Sequence, residues 1–442
     1  MTCEENIKIT IIGGSKGLGK WIAQKLKIEN FNITITSRDK TSGEKIAQEI
    51  GVNYSNNNIE AIQDAKVILF CVPIEVMVET IKKVAPHAPE NSLLMDITSI
   101  KKEPTEALLK YSPPKSEVIP CHPMFGPRVP SLDGQVVILT PPEDRCQHSL
   151  PVIIDFFKKK NVNLVNTTPE EHDKIMSVVQ GLTHFSYISI ASTIRKLNIS
   201  VKESRKFSSP VYSLMLDMIS RIVAQNPYLY YSIQKQNSKT ALSRKTLIEE
   251  SIRLSEYIDN DEEDKFIEDM RLSAKHLDEF EEALGRSDKA ISILSKDLND
   301  LKKSVGMEVA LKHQYSGKIH FGVVKSIGAD EVVLRENNKD ITLKISNISI
   351  LDDEELFDWK TKNLKKYTFD LSLVFSNNYN VDTLLDVFSK IEPVINVEIK
   401  DIYTGSSIDK DFFSVTFHYS TFNKTDKDIV ERYMVGLGGV IR

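Results

Sequence analysis

Short apolar runs alternate with helical periodicity over the first part of the chain. The apolar runs predict buried strands, and residues 20–28 between the first two have the apolar spacing of a helix. The predicted strands cover residues 7–12, 33–36, 66–72, 93–97, 117–119 and 135–139. Strands that are apolar throughout and alternate with helices are typical of a parallel sheet with helices on both faces. The pattern therefore predicts an α/β fold with a doubly wound parallel sheet over residues 1–168.

Long helical patterns replace the strands after residue 168. Residues 176–197 and 212–236 each predict one long helix, and later apolar residues recur at helical spacing. These later residues are Phe266, Met270, Ala274, Leu277, Phe280 and Leu284. We interpret them as core or as a contact with a second copy, because such helices carry more apolar surface than one small sheet covers. An all-helical domain over residues 169–304 that forms a homodimer is expected.

The remainder of the chain is rich in short strands. Residues 305–360 contain the predicted strands 320–325 and 332–335 with polar turns between them, which indicates a small β-barrel-like domain. Residues 361–442 begin with alternating apolar and polar positions at 369–375, the pattern of a strand with one buried face. A helix, two strands, a second helix and a short last strand follow. This order predicts a ferredoxin-like α+β domain.

Composition narrows the class of protein. The 442 residues are too many for one hydrophobic core, so two to four domains are expected. A net charge of -5 provides no global basic field, which makes nucleic acid an unlikely partner. The four cysteines include no CxxC pair, and we therefore expect no metal site. Few cysteines, no signal peptide and no apolar run near ~18 residues predict a cytoplasmic protein that does not enter a membrane.

A glycine-rich loop lies directly between the first predicted strand and the first predicted helix. It reads Gly13-Gly14-Ser15-Lys16-Gly17-Leu18-Gly19. Glycine lets the backbone turn tightly and approach a pyrophosphate, while the helix N-terminus supplies partial positive charge. The loop in this βαβ context predicts a Rossmann-type dinucleotide site, although Lys16 stands where the middle glycine of GxGxxG is usual. Val72 and Pro73, at the end of another predicted strand, complete the expected cofactor contacts.

The end of the second predicted strand bears on which dinucleotide binds. An NAD site usually has an acidic residue there for the ribose 2′-hydroxyl. Here the residues are Ser37 and Arg38, and a guanidinium beside a hydroxyl suits a 2′-phosphate. Asp39, one residue later, would restore an NAD-type acid. NADP is therefore favoured, and NAD stays open.

Several residues that can carry hydride-transfer chemistry follow predicted strands or lie in the long helices. His122 follows the fifth strand, Ser99 and Lys101 follow the fourth, and His184 and Arg221 lie in helices. Ligands of doubly wound sheets bind beyond the carboxyl ends of the strands. Taken singly, each residue has an ordinary structural explanation, because a lone histidine is more often a hydrogen-bonding group than a catalyst. His172 is interpreted as helix-start structure, with Thr168 and Glu171 as a capping box.

Residues 6 to about 300 resemble the prephenate dehydrogenase family. The motifs are the glycine loop, Asp96-Ile97-Thr98-Ser99-Ile100-Lys101, His122-Pro123-Met124-Phe125-Gly126-Pro127, Glu171-His172-Asp173, Gln180-Gly181-Leu182-Thr183-His184-Phe185, Ser209-Pro210-Val211-Tyr212 and Ser220-Arg221-Ile222. HPMFGP followed by QxLxHF is specific, since other β-hydroxyacid dehydrogenases share the glycine loop and not this pair. The resemblance implies NAD(P)-dependent oxidative decarboxylation of prephenate to 4-hydroxyphenylpyruvate, in tyrosine biosynthesis, or the corresponding reaction of arogenate.

The same resemblance implies roles for individual residues. His122 would accept the proton of the substrate's C4 hydroxyl as hydride leaves for the nicotinamide. Ser99 would orient His122 and contact the same hydroxyl. Arg221 would pair with a substrate carboxylate. The pocket would also be lined by His184, Gln180 and Lys101.

The same residues leave other functions open. A different β-hydroxyacid dehydrogenase or imine reductase would typically have a catalytic lysine in the first long helix, where this chain has Gln180 and His184. A short-chain dehydrogenase fits the glycine spacing, but Tyr231 and Lys235 lie far from the loop. A non-enzymatic dinucleotide sensor would not need His122, Ser99 and Arg221 together.

The last part of the chain has a second resemblance. Residues 370–375, 401–405 and 413–417 are similar to the ferredoxin-fold anticodon-binding domain of bacterial phenylalanyl-tRNA synthetase β subunits, which shares its topology with the ACT domain. This resemblance leaves three roles open: a tyrosine-sensing module, an RNA-binding module, and an oligomerisation or structural appendage. Tyrosine is therefore a candidate effector.

Overall fold

The computed structural model describes residues 7–328 and 330–442. It divides into two compact units, residues 1–279 and 280–442, and each is described by itself. Cys3 lies outside the described residues. The first unit contains two sheets and a block of helices, and the second contains two further sheets.

A six-stranded parallel sheet forms the centre of the first unit, with strand order β3-β2-β1-β4-β5-β6. Its strands are β1 (Lys8–Ile12), β2 (Asn32–Thr36), β3 (Asn53–Ser55), β4 (Val67–Phe70), β5 (Leu93–Asp96) and β6 (Glu117–Val118). The helices between and after them are α1 (Gly17–Ile28), α2 (Lys40–Ile50), α3 (Asn58–Ala61), α4 (Ile74–Val84) and α5 (Lys102–Tyr111). Apolar side chains are buried on both faces of the sheet, as the continuous apolar runs predicted. The pattern did not predict β3, because this edge strand is polar and partly exposed.

The prediction that residues 135–139 extend the large sheet is wrong. These residues form β8 (Val136–Leu139), the centre of a separate three-stranded sheet with β7 (Cys121–Pro123) and β9 (Asn163–Asn166). β8 runs antiparallel to β7 and parallel to β9, with α6 (Ser149–Lys159) as the crossover. The chain leaves the large sheet after the two residues of β6, just before Pro120, which cannot donate a hydrogen bond to a ladder.

The helical block of the first unit begins at Pro169. It contains α7 (Pro169–Met176), a π-helical segment (Ser177–Leu182), α8 (Thr183–Lys196), α9 (Val201–Ser204), α10 (Pro210–Val223), α11 (Pro227–Gln236), α12 (Thr240–Asp259) and α13 (Glu263–Leu277). The single helix predicted over residues 212–236 is wrong, because the chain breaks between α10 and α11. Asn226 caps α11 by accepting the Tyr228 N–H at 3.1 Å, and Pro227 has no N–H to continue a helix.

The boundary between the compact units lies before α14 (Phe280–Lys303), and not at residue 304 as the sequence led us to expect. The reason is that Leu301, near the end of α14, is 1% exposed and packs in the core of the five-stranded sheet that follows. That sheet is antiparallel with order β13-β12-β11-β10-β14. Its strands are β10 (Glu308–His313), β11 (Ile319–Ile327), β12 (Glu331–Glu336), β13 (Lys339–Lys344) and β14 (Ile348–Ile350).

The end of the chain forms the predicted ferredoxin-like arrangement. After α15 (Asp353–Asn363) come β15 (Tyr367–Ser376), α16 (Val381–Ser389), β16 (Val394–Tyr403), β17 (Phe412–Thr421), α17 (Lys427–Gly436) and β18 (Val440–Ile441). The sheet order is β16-β17-β15-β18. Leu371, Leu373 and Phe375 are buried with the two helices, while Asp370 lies on the exposed face, as alternation along the strand predicted.

Candidate active site

The glycine loop is shaped by close packing on one side and open space on the other. A Cβ on Gly13 (φ +87°) would lie 2.8 Å from the carbonyl oxygen of Cys71, and a Cβ on Gly19 would lie 2.7 Å from that of Gly13. Gly14 is held equally closely, because its Cβ would lie 2.7 Å from a methyl carbon of Ile35. Gly17 (φ +54°) differs, since a Cβ there would enter empty space. The loop therefore packs tightly against the sheet and leaves room above Gly17.

The N-terminus of α1 fits an anion in that space. Lys16 occupies the N-cap position without a side-chain cap, and the first turn has no acidic residue. The first N–H groups of the helix are therefore not claimed by a side chain, and they carry the positive end of the helix dipole. Among the other predicted cofactor residues, Ser15 is buried, Leu18 is half-buried, and Pro73 is the N-cap of α4. These features together fit the pyrophosphate of a dinucleotide.

The residues after β2 differ in whether their side chains already have hydrogen-bond partners. Ser37 donates its hydroxyl to the carbonyl oxygen of Asp39 at 2.7 Å. The carboxylate of Asp39 accepts the N–H of Ser42 at 3.1 Å and so caps α2. Arg38 is exposed, and its guanidinium has no hydrogen-bond or ion-pair partner among residues 7–328 and 330–442. Of the two charged side chains, Arg38 is free to bind a ligand, whereas Asp39 is already used as a helix cap.

His122 lies within β7, where it is paired with Ile138 of β8 and only 2% exposed. Its Nδ1 lies 2.9 Å from Nε2 of His172, and its Nε2 lies 3.3 Å from the amide nitrogen of Gln180. Burial lowers its pKa well below the ordinary histidine value, with further lowering by His172 and by the positive charge of Lys101. His122 is therefore neutral at physiological pH, the state that a proton acceptor requires.

His172, which contacts His122, also contacts Asp173. Its Nδ1 lies 2.7 Å from Oδ1 of Asp173. Asp173 also accepts the backbone N–H groups of Lys101, at 2.8 Å, and of Lys102, at 3.1 Å, and thereby caps α5. The interpretation of His172 as helix-start structure missed this relay. The sequence signal for this contact was the adjacent pair His172-Asp173 on one helix. That the His172 ring lies against His122 is decided by the tertiary packing.

The helix start itself differs from the predicted capping box. Thr168 caps α7 by accepting the N–H of Glu171 at 3.2 Å. The side chain of Glu171 is paired with Lys174 instead of returning to the N-cap. Only half of the predicted reciprocal motif therefore forms.

Lys101 does not line a pocket as expected. Its side chain is fully buried, and its ammonium group pairs with the carboxylate of Asp96 and donates to the carbonyl oxygen of Cys121 at 2.9 Å. The predicted role as a substrate contact is corrected to a structural one, because a lysine that is closed off from solvent and fully engaged cannot reach a ligand. Lys101 still affects the base, because Cys121 directly precedes His122 and the positive charge of Lys101 lowers the pKa of His122.

Ser99 lies in the loop after β5 and is half-buried. In the described part of the chain its hydroxyl makes no hydrogen bond to His122, whose two ring nitrogens face His172 and Gln180. The expectation that Ser99 orients His122 is therefore corrected, since His172 occupies the nitrogen that an orienting group would need. A contact of Ser99 with a substrate hydroxyl stays a prediction.

Among the described residues, two buried polar atoms without partners lie on Gln180, which contacts His122, and on His184, four residues further along the chain. Oε1 of Gln180 and Nδ1 of His184 are buried and have no hydrogen-bond partner in the described part of the chain. His184 packs edge-on against Tyr230 with ring centroids 4.7 Å apart, and burial lowers its pKa to about 4. Arg221 is exposed on α10. Burial raises the pKa of the Tyr230 hydroxyl, and the positive charge of Arg221 offsets part of that rise. A neutral base, two unsatisfied polar atoms and a free cation suit a polar, acidic ligand.

The base and the glycine loop are linked through two cysteines. Burial raises the pKa of the Cys71 thiol, with added effects from Asp96 and Cys121. Cys71 contacts the glycine loop, and Cys121 precedes His122 on β7.

Within the described ranges, no group of three or more histidine, cysteine, aspartate or glutamate side chains is placed to hold a metal ion. None of the described helices is long and apolar enough to cross a membrane.

Comparison with known proteins identifies the family. Residues 22–166 match the nucleotide-binding domain of prephenate dehydrogenase, and residues 168–272 match its dimerization domain. A probable arogenate/prephenate dehydrogenase of Methanocaldococcus jannaschii is 40% identical over 429 residues, 97% of this chain and 96% of that protein. The chain belongs to the prephenate dehydrogenase family. The predicted resemblance of the N-terminal part is thereby confirmed.

Further relatives of the prephenate dehydrogenase family match a smaller share. The T-protein of Haemophilus influenzae is 31% identical over 211 residues, 47% of this chain and 54% of that protein. The solved structure of prephenate dehydrogenase from A. aeolicus, in complex with hydroxyphenyl propionate and NAD+, is 18% identical with a TM-score of 0.51 and covers 62% of this chain and 99% of its own. The family models end at residue 272, whereas the archaeal relative also contains the C-terminal region.

Proposed function

We propose that this family member catalyses the oxidative decarboxylation of prephenate to 4-hydroxyphenylpyruvate with a nicotinamide dinucleotide. The observation that carries the proposal is His122, a buried neutral histidine whose Nε2 lies 3.3 Å from the amide nitrogen of Gln180, a side chain whose Oε1 is buried without a hydrogen-bond partner in the described part of the chain. Bound nicotinamide supplies the hydride acceptor. Gly13 to Gly19 and the start of α1 would hold its pyrophosphate.

His122 removes one proton in this reaction. As the C4–H bond of the substrate breaks and the hydride departs, the proton of the C4 hydroxyl passes to Nε2 of His122 and C4 becomes a carbonyl carbon. The bond between the ring and its carboxylate then breaks, CO2 leaves, the electron pair of that bond completes the aromatic ring, and the C4 oxygen takes a proton back from Nε2 of His122 to give the 4-hydroxyl group. Arg221 pairs with a substrate carboxylate, since its guanidinium is exposed and free on the helix that also faces Tyr230.

The test is turnover by the purified full chain, followed by the absorbance of reduced nicotinamide. Prephenate and arogenate are each supplied with NADP+ and with NAD+. Reduction that depends on prephenate, with 4-hydroxyphenylpyruvate as product, supports the proposal. Reduction with arogenate alone would replace prephenate by arogenate as the substrate. Cofactor binding without turnover of either would favour a dinucleotide sensor.

NADP is the proposed dinucleotide. The free guanidinium of Arg38 suits a 2′-phosphate, and the carboxylate of Asp39, which an NAD site would need for the ribose, is engaged at the start of α2. A higher kcat/KM with NADP+ than with NAD+ is the expected outcome of the same assay.

A homodimer through the helical block is also proposed. Met270 is 69% exposed and Leu277 is 71% exposed on α13, and Leu242 is 69% exposed on α12. Exposed apolar side chains on neighbouring long helices are typical of a surface that a partner covers. Light scattering at several protein concentrations is expected to give twice the mass of one chain.

A further inference from the structure

His122 has two ring nitrogens, and only one of them can accept the substrate's proton. A neutral imidazole carries one proton, so one nitrogen donates and the other accepts. If the proton sits on Nε2, which faces Gln180, the base is blocked. Whatever contacts Nδ1 therefore decides whether His122 can work.

The contacts behind His122 form a directed chain. The carboxylate of Asp173 can only accept, so Nδ1 of His172, 2.7 Å away, must carry a proton. In neutral His172, Nε2 is then an acceptor. It lies 2.9 Å from Nδ1 of His122, which must therefore donate. The proton of neutral His122 is thus placed on Nδ1, and Nε2 is left bare.

We propose that His172, held by Asp173, is a positioning residue that keeps His122 in the tautomer with a free Nε2. The inference rests on the proposed function of His122 as proton acceptor. His172 is only 2% exposed and its two ring nitrogens contact His122 and Asp173, so it acts through His122. When His122 takes up the substrate's proton at Nε2, Nδ1–H stays donated to His172, and the carboxylate of Asp173 faces the new positive charge through His172.

The other hydrogen bonds of Asp173 hold its carboxylate in place beside His172. This carboxylate is also bound by the N–H groups of Lys101 and Lys102 at the start of α5, so it cannot turn away from His172 without uncapping a helix. The remaining charges near His122 are the buried pair of Lys101 and Asp96, which is engaged with itself and with Cys121. No other acceptor among the described residues reaches Nδ1 of His122.

Two substitutions separate positioning from packing. His172→Phe keeps a planar ring and removes the acceptor, so the wrong tautomer of His122 becomes accessible. His172→Gln can accept from Nδ1 of His122 through its carbonyl oxygen while its amide donates to Asp173. We expect the phenylalanine variant to lose at least ~10-fold in kcat with prephenate and the glutamine variant to recover most of it, as expected when a general base is mis-set and then restored. KM and cofactor affinity should change little in either.

The matched control is His87→Phe, the same exchange at an exposed histidine outside the site. It is expected to retain wild-type kinetics. An equal kcat in the phenylalanine and wild-type proteins, or equal losses in both His172 variants, would overturn the inference.

A second measurement needs no turnover. The ring 15N resonances of labelled wild-type protein, with His122 assigned by its substitution, report which nitrogen is protonated. Protonated Nδ1 and bare Nε2 are expected without substrate, with a shift toward protonated Nε2 in His172→Phe. A protonated Nε2 in the wild-type protein would sink the inference even if the phenylalanine variant does not fold. Absence of prephenate turnover in the wild type would instead count against the proposed function and leave this result to stand separately.

Discussion

The ammonium group of Lys101 donates a hydrogen bond to the carbonyl oxygen of Cys121 at 2.9 Å, and this bond ties the loop after β5 to the strand that carries His122. The same ammonium pairs with Oδ1 of the fully buried carboxylate of Asp96, whose Oδ2 has no hydrogen-bond partner in the described part of the chain. Lys101 thus positions the base, and its positive charge helps to keep the base neutral.

Replacing Lys101 is expected to destabilise the first unit. Lys101→Met leaves the Asp96 carboxylate buried and uncompensated, a change that typically costs ~3–5 kcal/mol of unfolding free energy. Urea unfolding followed by circular dichroism measures the loss. Lys102→Met is the matched control, because the neighbouring side chain is exposed. Similar stabilities of the two variants would contradict a structural role for the ion pair.

Replacing His122 is expected to remove catalysis and spare binding. His122→Asn keeps a polar side chain on β7 but cannot accept a proton, so turnover should fall by roughly 10²–10⁴-fold. Cofactor affinity, measured by fluorescence titration, should stay near that of the wild type. His148→Asn, at an exposed position, serves as the control. Near-normal turnover in His122→Asn would rule out its role as the base.

Stability is expected to fall at acidic pH partly through His184. Burial lowers the pKa of His184 from the ordinary 6.5 to about 4, so between these values the unfolded chain binds a proton that the folded chain does not. The unfolding free energy therefore decreases as the pH drops from about 6.5 to about 4. His184→Gln should flatten that dependence in urea titrations at several pH values. An unchanged slope would mean that His184 is protonated in the folded protein.

Replacing Arg38 is expected to change cofactor preference. Arg38→Ala removes the free cation after β2, and a lost charge-assisted contact with a 2′-phosphate corresponds to a ~10- to 100-fold decrease in kcat/KM for NADP+. The value for NAD+ should change by no more than about twofold, since NAD+ has no phosphate there. Lys40→Ala, two residues later and also exposed, is the control. Equal losses with both cofactors would contradict the assignment.

Much of this architecture follows from local patterns. Continuous apolar runs determined the strands of the large sheet, because both faces are buried, and alternation at Leu371, Leu373 and Phe375 determined the one-sided strand β15. The glycine loop was equally readable, since Gly13 and Gly19 pack too closely for any side chain. His122 was identified through a family motif, which carries chemistry that periodicity does not.

The tertiary structure decided the contacts between distant segments. Residues 135–139 have the composition of a sheet strand, but which sheet they join depends on how the chain turns at Pro120. Lys101 looks like a pocket residue until Asp96 and Cys121 enclose it. His172 lies 50 residues from His122 in the chain, and only the tertiary packing of α7, which lies against α5, brings Nε2 of His172 to Nδ1 of His122. Local patterns report which residues are buried, whereas the partner that a buried polar atom finds depends on the three-dimensional path of the whole chain.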